Sequence, residues 1–141
     1  MKYASSVDLP VEAGVVLPFV NDLTRYPEWM PLVHAVQGDG ESSWNVELRA
    51  KVGVFARSKR IRMSRTMNTD SRIVFERDER DGRQHSPWRL EVEVSGSGRS
   101  TTVRVTMEYG GSLWTAGVLD RVLASQVDAG KANLARVVQG A

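Results

Sequence analysis

The feature that most constrains this chain is a series of five segments in which apolar and polar residues alternate, followed by one long helical pattern. The alternating segments lie at 44–50, 60–67, 72–76, 88–94 and 103–109. Alternation with period two is typical of strands that bury one face. Glycine-containing turns at 38–40, 81–82 and 96–98 lie beside these segments, and connections this short join antiparallel neighbours. The sequence therefore predicts an antiparallel sheet.

The C-terminal part of the chain predicts one helix from about Leu113 to Gln139, after a break at 110–112. At about 1.5 Å per residue this helix would be roughly 40 Å long, which is enough to cross the whole sheet. Gly130 inside it indicates a kink, a close approach of the backbone to the sheet or a ligand, or simply a poorly optimised helix position. The apolar stripe of the helix consists of Leu119, Val122, Leu123, Val127, Leu134 and Val138.

The N-terminal part predicts a strand over 2–9 and then two short helical pieces. Asp8 and Pro10 indicate the start of the first helix, Pro18 should kink or shorten it, and residues 21–22 end it. Thr24 is predicted to cap the second piece. The apolar face of the first helix consists of Val11, Val15, Phe19 and Leu23.

Composition narrows the class of protein. The 141 residues fit a single domain over 1–141. The absence of cysteine excludes disulfides, cysteine-ligated metal sites and thiol nucleophiles. Because the sequence has neither an apolar N-terminal leader nor an apolar run of span length, we expect a cytoplasmic protein without a membrane span. The net charge of +2 is too small to indicate a nucleic-acid partner.

The apolar face of the predicted sheet is rich in aromatic residues and methionine. A twisted sheet that curves around one helix leaves a gap unless side chains fill it, and methionine is common on adaptable binding surfaces. The residue pattern leaves two alternatives open, a cavity for an apolar ligand and a core closed by its own side chains. The large residues on this face are Trp44, Met63, Met67, Phe75, Trp88, Met107 and Tyr109.

Residues 11–33 resemble the N-terminal signature of the START-like (SRPBCC) superfamily, which includes polyketide cyclase-like and aromatase-like proteins. The resemblance implies an α+β helix-grip fold, with a curved seven-stranded antiparallel sheet wrapped around a long C-terminal helix and two short helices near the N-terminus. It also implies a deep apolar pocket between sheet and helix. The residues that carry the match are Val15, Phe19, Asp22, Tyr26, Pro27, Trp29 and Pro31.

The alternation and this resemblance together predict the ligand-binding residues. They comprise the inward-facing positions of the sheet, the end of the second helical piece and the stripe of the last helix. The predicted set is Trp29, Met30, Trp44, Val46, Leu48, Ile61, Met63, Arg65, Phe75, Arg77, Trp88, Leu90, Val92, Val105, Met107, Tyr109, Leu119, Leu123 and Val127.

Candidate catalytic groups are few. His34, Arg65 and Tyr109 are the residues that an enzyme could use, as an acid or base, as a partner for an anion and as a donor to a carbonyl. Arg65 and Arg77 fall on the apolar face, where each needs a partner, either an anionic ligand group or water at a strand end. We expect no metal and no cofactor, because the histidines have no metal-ligand spacing and nucleotide-binding glycine motifs are absent.

Three functional hypotheses remain open at this point. The first is a module that binds a lipid, a polyprenyl or a polyaromatic molecule. The second is a cyclase or aromatase-like enzyme that works largely by positioning its substrate. The third follows from the segment 26–31, which is similar to that of coenzyme Q-binding proteins and of a related ribosome-association factor. It predicts a quinone ligand or a ribosomal partner.

Overall fold

Seven antiparallel strands form one sheet, which confirms the predicted fold class. The computed structural model describes residues 2–52, 54–110 and 116–141. In chain order the strands are β1 (Lys2–Leu9), β2 (Val33–Gly38), β3 (Ser43–Val52), β4 (Phe55–Asn68), β5 (Arg72–Arg77), β6 (Trp88–Ser97) and β7 (Ser100–Tyr109). Their order across the sheet is β1-β7-β6-β5-β4-β3-β2.

The helices flank this sheet in sequence. Helix α1 (Ala13–Val20) and a 3₁₀ helix (Leu23–Glu28) lie between β1 and β2, and α2 (Ala116–Gln139) follows β7. Helix α2 contacts β1 and β3, which lie near opposite edges of the sheet, so the sheet curves around the helix. None of the helices in the described part is long and apolar enough to cross a membrane.

Two predicted helix boundaries are wrong. Helix α1 begins at Ala13 rather than beside Pro10, because β1 continues to Leu9 in register with β7. Asp8 therefore stays in the strand, where its carboxylate accepts a hydrogen bond from Thr102 Oγ1 at 2.6 Å. Asp22, and not Thr24, caps the 3₁₀ helix, since its Oδ1 accepts from the Thr24 backbone N–H at 2.9 Å.

The inward face of the sheet is largely apolar on the central strands, as the alternation predicts, with Arg57, Lys59 and Arg65 of β4 as exceptions. Cross-strand partners on this face include Val46 with Ile61 and Leu90 with Met107. Aromatic rings pack edge to face at its centre, with the Phe75 ring 5.6 Å from that of Trp44 and 5.8 Å from that of Tyr26. These rings fill the middle of the space between the sheet and the helices.

A bulge in β4 corrects one predicted position. Arg65 pairs with Phe75, but Met67 pairs with Val74, so β4 advances two residues where β5 advances one. Because of the extra residue, each later residue of β4 lies on the opposite face from the one that uninterrupted alternation predicts. Met67, which the uninterrupted alternation places inward, is therefore 41% exposed.

The C-terminal end of α1 is closed by side chains from other elements. Three consecutive carbonyl groups there have no partner within the helix, and each accepts one side-chain hydrogen bond. Trp29 Nε1 donates to the Phe19 carbonyl at 2.9 Å and Tyr26 Oη donates to the Val20 carbonyl at 2.7 Å. Arg65 Nη1, from β4, donates to the Asn21 carbonyl at 2.5 Å. The short helical pair is thereby fixed to the sheet.

Helix α2 contacts the same segment through its backbone. A Cβ atom at Gly130 would lie 3.5 Å from the Trp29 carbonyl oxygen, so the helix passes close to this turn. Asn133 Nδ2 donates to that same carbonyl at 3.2 Å. A close backbone approach is thus observed at Gly130, but to the turn at Trp29 and not to the sheet or a ligand as predicted.

The Tyr26 hydroxyl provides a stability test. Tyr26→Phe leaves the buried Val20 carbonyl without its partner, and we expect a loss of about 1–3 kcal/mol in the free energy of unfolding at pH 7. Burial also raises the pKa of the Tyr26 phenol well above its usual range. The native protein should therefore lose stability above about pH 10, where only the unfolded phenol ionises, and the variant should lose less.

Urea titrations of both proteins between pH 7 and pH 11 measure this difference. Tyr3→Phe is the control, because it removes the hydroxyl of a half-buried tyrosine on β1. An equal loss of stability in both variants at pH 7 would contradict the proposed role of the Tyr26 hydrogen bond.

Candidate ligand-binding site

A small apolar cavity of about 30 Å³ lies between the inward face of the sheet and the segment that follows α1. Strands β3, β4, β6 and β7 supply one side of it. The predicted ligand-binding residues that line it are Met30, Val46, Leu48, Ile61, Met63, Trp88, Leu90 and Met107. The alternation predicted most of these residues because a period-two pattern assigns each side chain to a face.

Four further lining residues, Leu23, Leu32, Val33 and Arg89, were not predicted as part of the site. The alternation assigns Arg89 to the outer face of β6. The other three come from the 3₁₀ helix, the turn after it and the start of β2, where no regular period shows which way a side chain points. A signal was present in the sequence, because the apolar pair at 32–33 directly follows Pro31 and precedes a polar stretch.

The cavity is much smaller than an occupied ligand pocket. A volume of about 30 Å³ holds a water molecule, whereas pockets for small organic ligands measure roughly 300–1,000 Å³. A second void of about 10 Å³ lies beside Trp29, Val105 and Val127 under α2. Around these two voids, the space between the described side chains is thus largely filled.

The lining of the cavity can nevertheless change shape. Three of the five methionines in the chain, Met30, Met63 and Met107, surround it. Methionine has three rotatable bonds and no branch at Cβ, so it repacks at low cost. A cavity lined in this way can widen without breaking backbone hydrogen bonds.

Trp88 is a lining residue that carries a polar group. Its side chain is buried, and Nε1 has no hydrogen-bond acceptor among the residues that the structure describes. The ring lies beside that of Tyr109, with the centroids 5.3 Å apart. A buried donor without an acceptor costs about 1–3 kcal/mol, so the N–H would gain from any acceptor brought within hydrogen-bond distance.

Arg65 and Arg77, predicted to need partners, both find them within the chain. Arg65 donates to the Asn21 carbonyl and its guanidinium lies 5.6 Å from the centre of the Trp44 ring. Arg77 Nε donates to Glu79 at 2.7 Å, and its Nη1 donates to the Ser86 carbonyl at 3.0 Å. Neither arginine therefore requires a ligand anion for its charge.

A charged network surrounds Arg77. His85 Nδ1 accepts from Arg77 Nη2 at 3.1 Å, since a guanidinium can only donate, and Nε2 then donates to Asp81 at 2.8 Å. The Arg83 backbone N–H and then His85 lower the pKa of the Asp81 carboxyl. On the neighbouring strand β4, burial and then the charge of Arg77 lower the pKa of Lys59, while the charge of Glu79 raises it.

The remaining predicted positions are distributed as follows. His34 is exposed on the edge strand β2, and Tyr109 is buried on β7. Trp44, Phe75 and Val92 are core residues that do not line the cavity. The side chains of Leu119 and Leu123 lie outside the described residues. In the part of the chain that the structure describes, no three His, Cys, Asp or Glu residues form a group that could hold a metal ion.

Comparison with solved structures shows the same fold in several bacterial proteins. A START superfamily protein from Mycobacterium smegmatis is 13% identical, with a TM-score of 0.77, and the match covers 99% of this chain and 97% of that one. The Zhui aromatase/cyclase from Streptomyces sp. R1128 is also 13% identical, with a TM-score of 0.72 and coverage of 99% and 93%. A protein from Thermobifida fusca is 22% identical, with a TM-score of 0.66 and coverage of 97% and 92%.

The comparison with curated protein sequences finds no significant match. A family profile described as "Polyketide cyclase / dehydrase and lipid transport" matches residues 1–139. The match spans the opening strand, the short helical pair, the sheet and all of α2. The chain therefore belongs to the polyketide cyclase/dehydrase and lipid transport family and has its START-like, helix-grip fold.

Proposed function

We propose that this protein binds an apolar small molecule in the cavity between the sheet and the segment after α1. The observation that carries the proposal is an apolar, methionine-lined cavity whose lining residues include Trp88, the buried N–H of which has no acceptor. The description of the family, which includes lipid transport, supports the same class of ligand.

Binding on this proposal expands an existing cavity. The ligand enters when Met30, Met63 and Met107 repack, and the apolar lining gains contact area as water leaves. Apolar contact supplies most of the affinity, at about 25 cal/mol for each Å² removed from water. The cost of opening lowers the apparent affinity, because only the open fraction of the protein binds.

The Trp88 N–H selects among apolar ligands. A ligand that carries a carbonyl oxygen can accept from Nε1, whereas a pure hydrocarbon leaves the donor unpaired. The favoured class is therefore a flat or flexible apolar molecule with a carbonyl group, such as a quinone, a polyketide or an acyl chain. The quinone prediction made from residues 26–31 falls within this class.

The placement of the candidate catalytic residues favours binding over catalysis. Arg65 is engaged with the Asn21 carbonyl, and His34 lies exposed on β2 rather than in the cavity lining. A general acid or base must reach its proton within about 3 Å or through one water. Tyr109 packs beside Trp88, where it can contact a ligand held by that ring.

Filling the cavity tests the location of the site. Val46→Phe places a ring into the lining, and we expect the affinity for N-phenyl-1-naphthylamine, an uncharged fluorescent probe, to fall about tenfold or more. The measurement is a fluorescence titration of each protein with the probe, after circular dichroism has shown that each is folded.

The matched control for this test is Val36→Phe. Val36 is the cross-strand partner of Val46 on β2, is half-buried and does not line the cavity. The control should bind the probe as the native protein does. Equal affinity in all three proteins would place the probe elsewhere and contradict the proposed site.

Replacing Trp88 tests the role of its N–H. In Trp88→Phe, we expect the affinity for 2-methyl-1,4-naphthoquinone to fall about fivefold more than that for 2-methylnaphthalene, which has the same skeleton without the carbonyl groups. Competition against the fluorescent probe measures both affinities.

Trp44→Phe serves as the control, because Trp44 lies on the same face of the sheet but outside the cavity lining. It should leave the ratio of the two affinities unchanged. If Trp88→Phe lowers both affinities by the same factor, Trp88 contributes only apolar surface and the assignment of its N–H is wrong.

A further inference from the structure

The β3–β4 hairpin extends past the strands on either side of it. Strand β3 pairs with β2 only as far as Leu48, and β4 pairs with β5 only from Met63 onward. Between these points β3 and β4 pair with each other, as Lys51 does with Ala56. Residues 51–52 and 54–58, which we call the hairpin arm, have exposed side chains wherever those side chains are described.

The tip of the hairpin arm is an exposed aliphatic residue. Val54 is 93% exposed, and the one other large hydrophobic residue exposed in the described part of the chain is Met67 at 41%. Single exposed apolar residues are common on protein surfaces and need no partner. The tip becomes informative through the charges around it.

Positive charge is concentrated on and beside the arm. Residues 48–60 contain five basic residues and no acidic one, whereas the whole chain has a net charge of only +2. The five are Arg49, Lys51, Arg57, Lys59 and Arg60. Arg49 and Lys51 lie on the outward face of the hairpin, whereas Arg57 and Lys59 lie at inward-facing positions. The positive charge therefore occurs on both faces.

These cations also lack the partners that other sheet cations have. Arg62, Arg72 and Arg89 each form an ion pair on the sheet. No ion pair or side-chain hydrogen bond within the described residues involves any of the five cations at the hairpin. The charges of the exposed Arg49, Lys51 and Arg57 are therefore available to an external partner, whereas Lys59 is half-buried and Arg60 lies opposite Glu47 on β3.

We propose that the hairpin arm docks this protein on an anionic lipid surface. The basic residues bind the phosphate and carboxylate groups of the lipids, and each one adds affinity because it lies close to the charged surface. Val54 enters the boundary between the headgroups and the acyl chains. An aliphatic tip favours a membrane over a nucleic acid, since a sugar-phosphate backbone offers it no apolar partner.

The arm is adjacent to the proposed binding cavity. Leu48, which lines the cavity, is the cross-strand partner of Lys59 at the base of the arm. Docking by the arm would hold the cavity near the lipid surface from which an apolar ligand is taken or to which it is delivered. The docking proposal stands on the exposed tip and the charges alone, so its failure would leave the cavity proposal unaffected.

Co-sedimentation with large unilamellar vesicles tests the proposal. We expect the protein to sediment with vesicles of phosphatidylcholine and phosphatidylglycerol, not with phosphatidylcholine alone, and to be released as salt is raised. Arg57→Glu should weaken binding about tenfold or more, and Val54→Asp should weaken it as well. Unchanged circular dichroism and probe binding in the cavity show that each variant is folded.

Arg99→Glu is the matched control, because Arg99 is an exposed cation at the tip of the β6–β7 hairpin. It should retain vesicle binding. Equal weakening by Arg99→Glu and Arg57→Glu would show that net charge alone acts, and the proposal would be wrong. Absence of binding to the anionic vesicles would also overturn the proposal. So would a result in which the protein binds a single-stranded RNA and Arg57→Glu weakens only that binding.

Discussion

Three carbonyl groups at the end of α1 determine how the helical part of this protein joins its sheet. Their hydrogen bonds come from Trp29 and Tyr26 in the following turn and from Arg65 on β4. The Trp29 carbonyl in turn accepts from Asn133 of α2. Buried carbonyl groups left without these donors would each cost about 1–3 kcal/mol, so the capping groups fix one position of the turn. That position places Met30 and Leu32 over the sheet and thereby forms one wall of the cavity.

The sequence predicted the fold wherever a regular period was present. Strands β3 to β7 alternate, and their inward residues are buried as expected. Strand β2 was not recognised, because it lies at the sheet edge and, apart from Val33 and Val36, exposes every side chain. The inward placement of Met67 failed at a bulge, which the residues at 65–67 do not reveal. The missed strand β2 and the wrong position of Met67 have the same cause. Both features depend on how the strands pair with each other and not on the local sequence.

The site was predictable in part for the same reason. Alternation shows on which face of the sheet a side chain lies, so Val46, Ile61 and Leu90 were correctly assigned to the lining. Whether those side chains meet or leave a gap depends on packing to within a methyl group, which no sequence pattern reports. The partners of Arg65 and Arg77 also depend on tertiary contacts, with a helix end and with Glu79. The residues 26–31 that suggested a family signature serve here as structural donors, through Tyr26 and Trp29.

Ligand binding as proposed requires the methionine-lined cavity between the sheet and the turn after α1 to open. Methyl spectra of protein labelled with ¹³C-methyl methionine report this opening during titration with 2-methyl-1,4-naphthoquinone. The signals of Met30, Met63 and Met107 should shift together and saturate, while that of Met67, outside the cavity lining, should stay in place. If the three cavity signals do not move, or if Met67 moves with them, the ligand does not occupy this cavity and the proposed site is wrong.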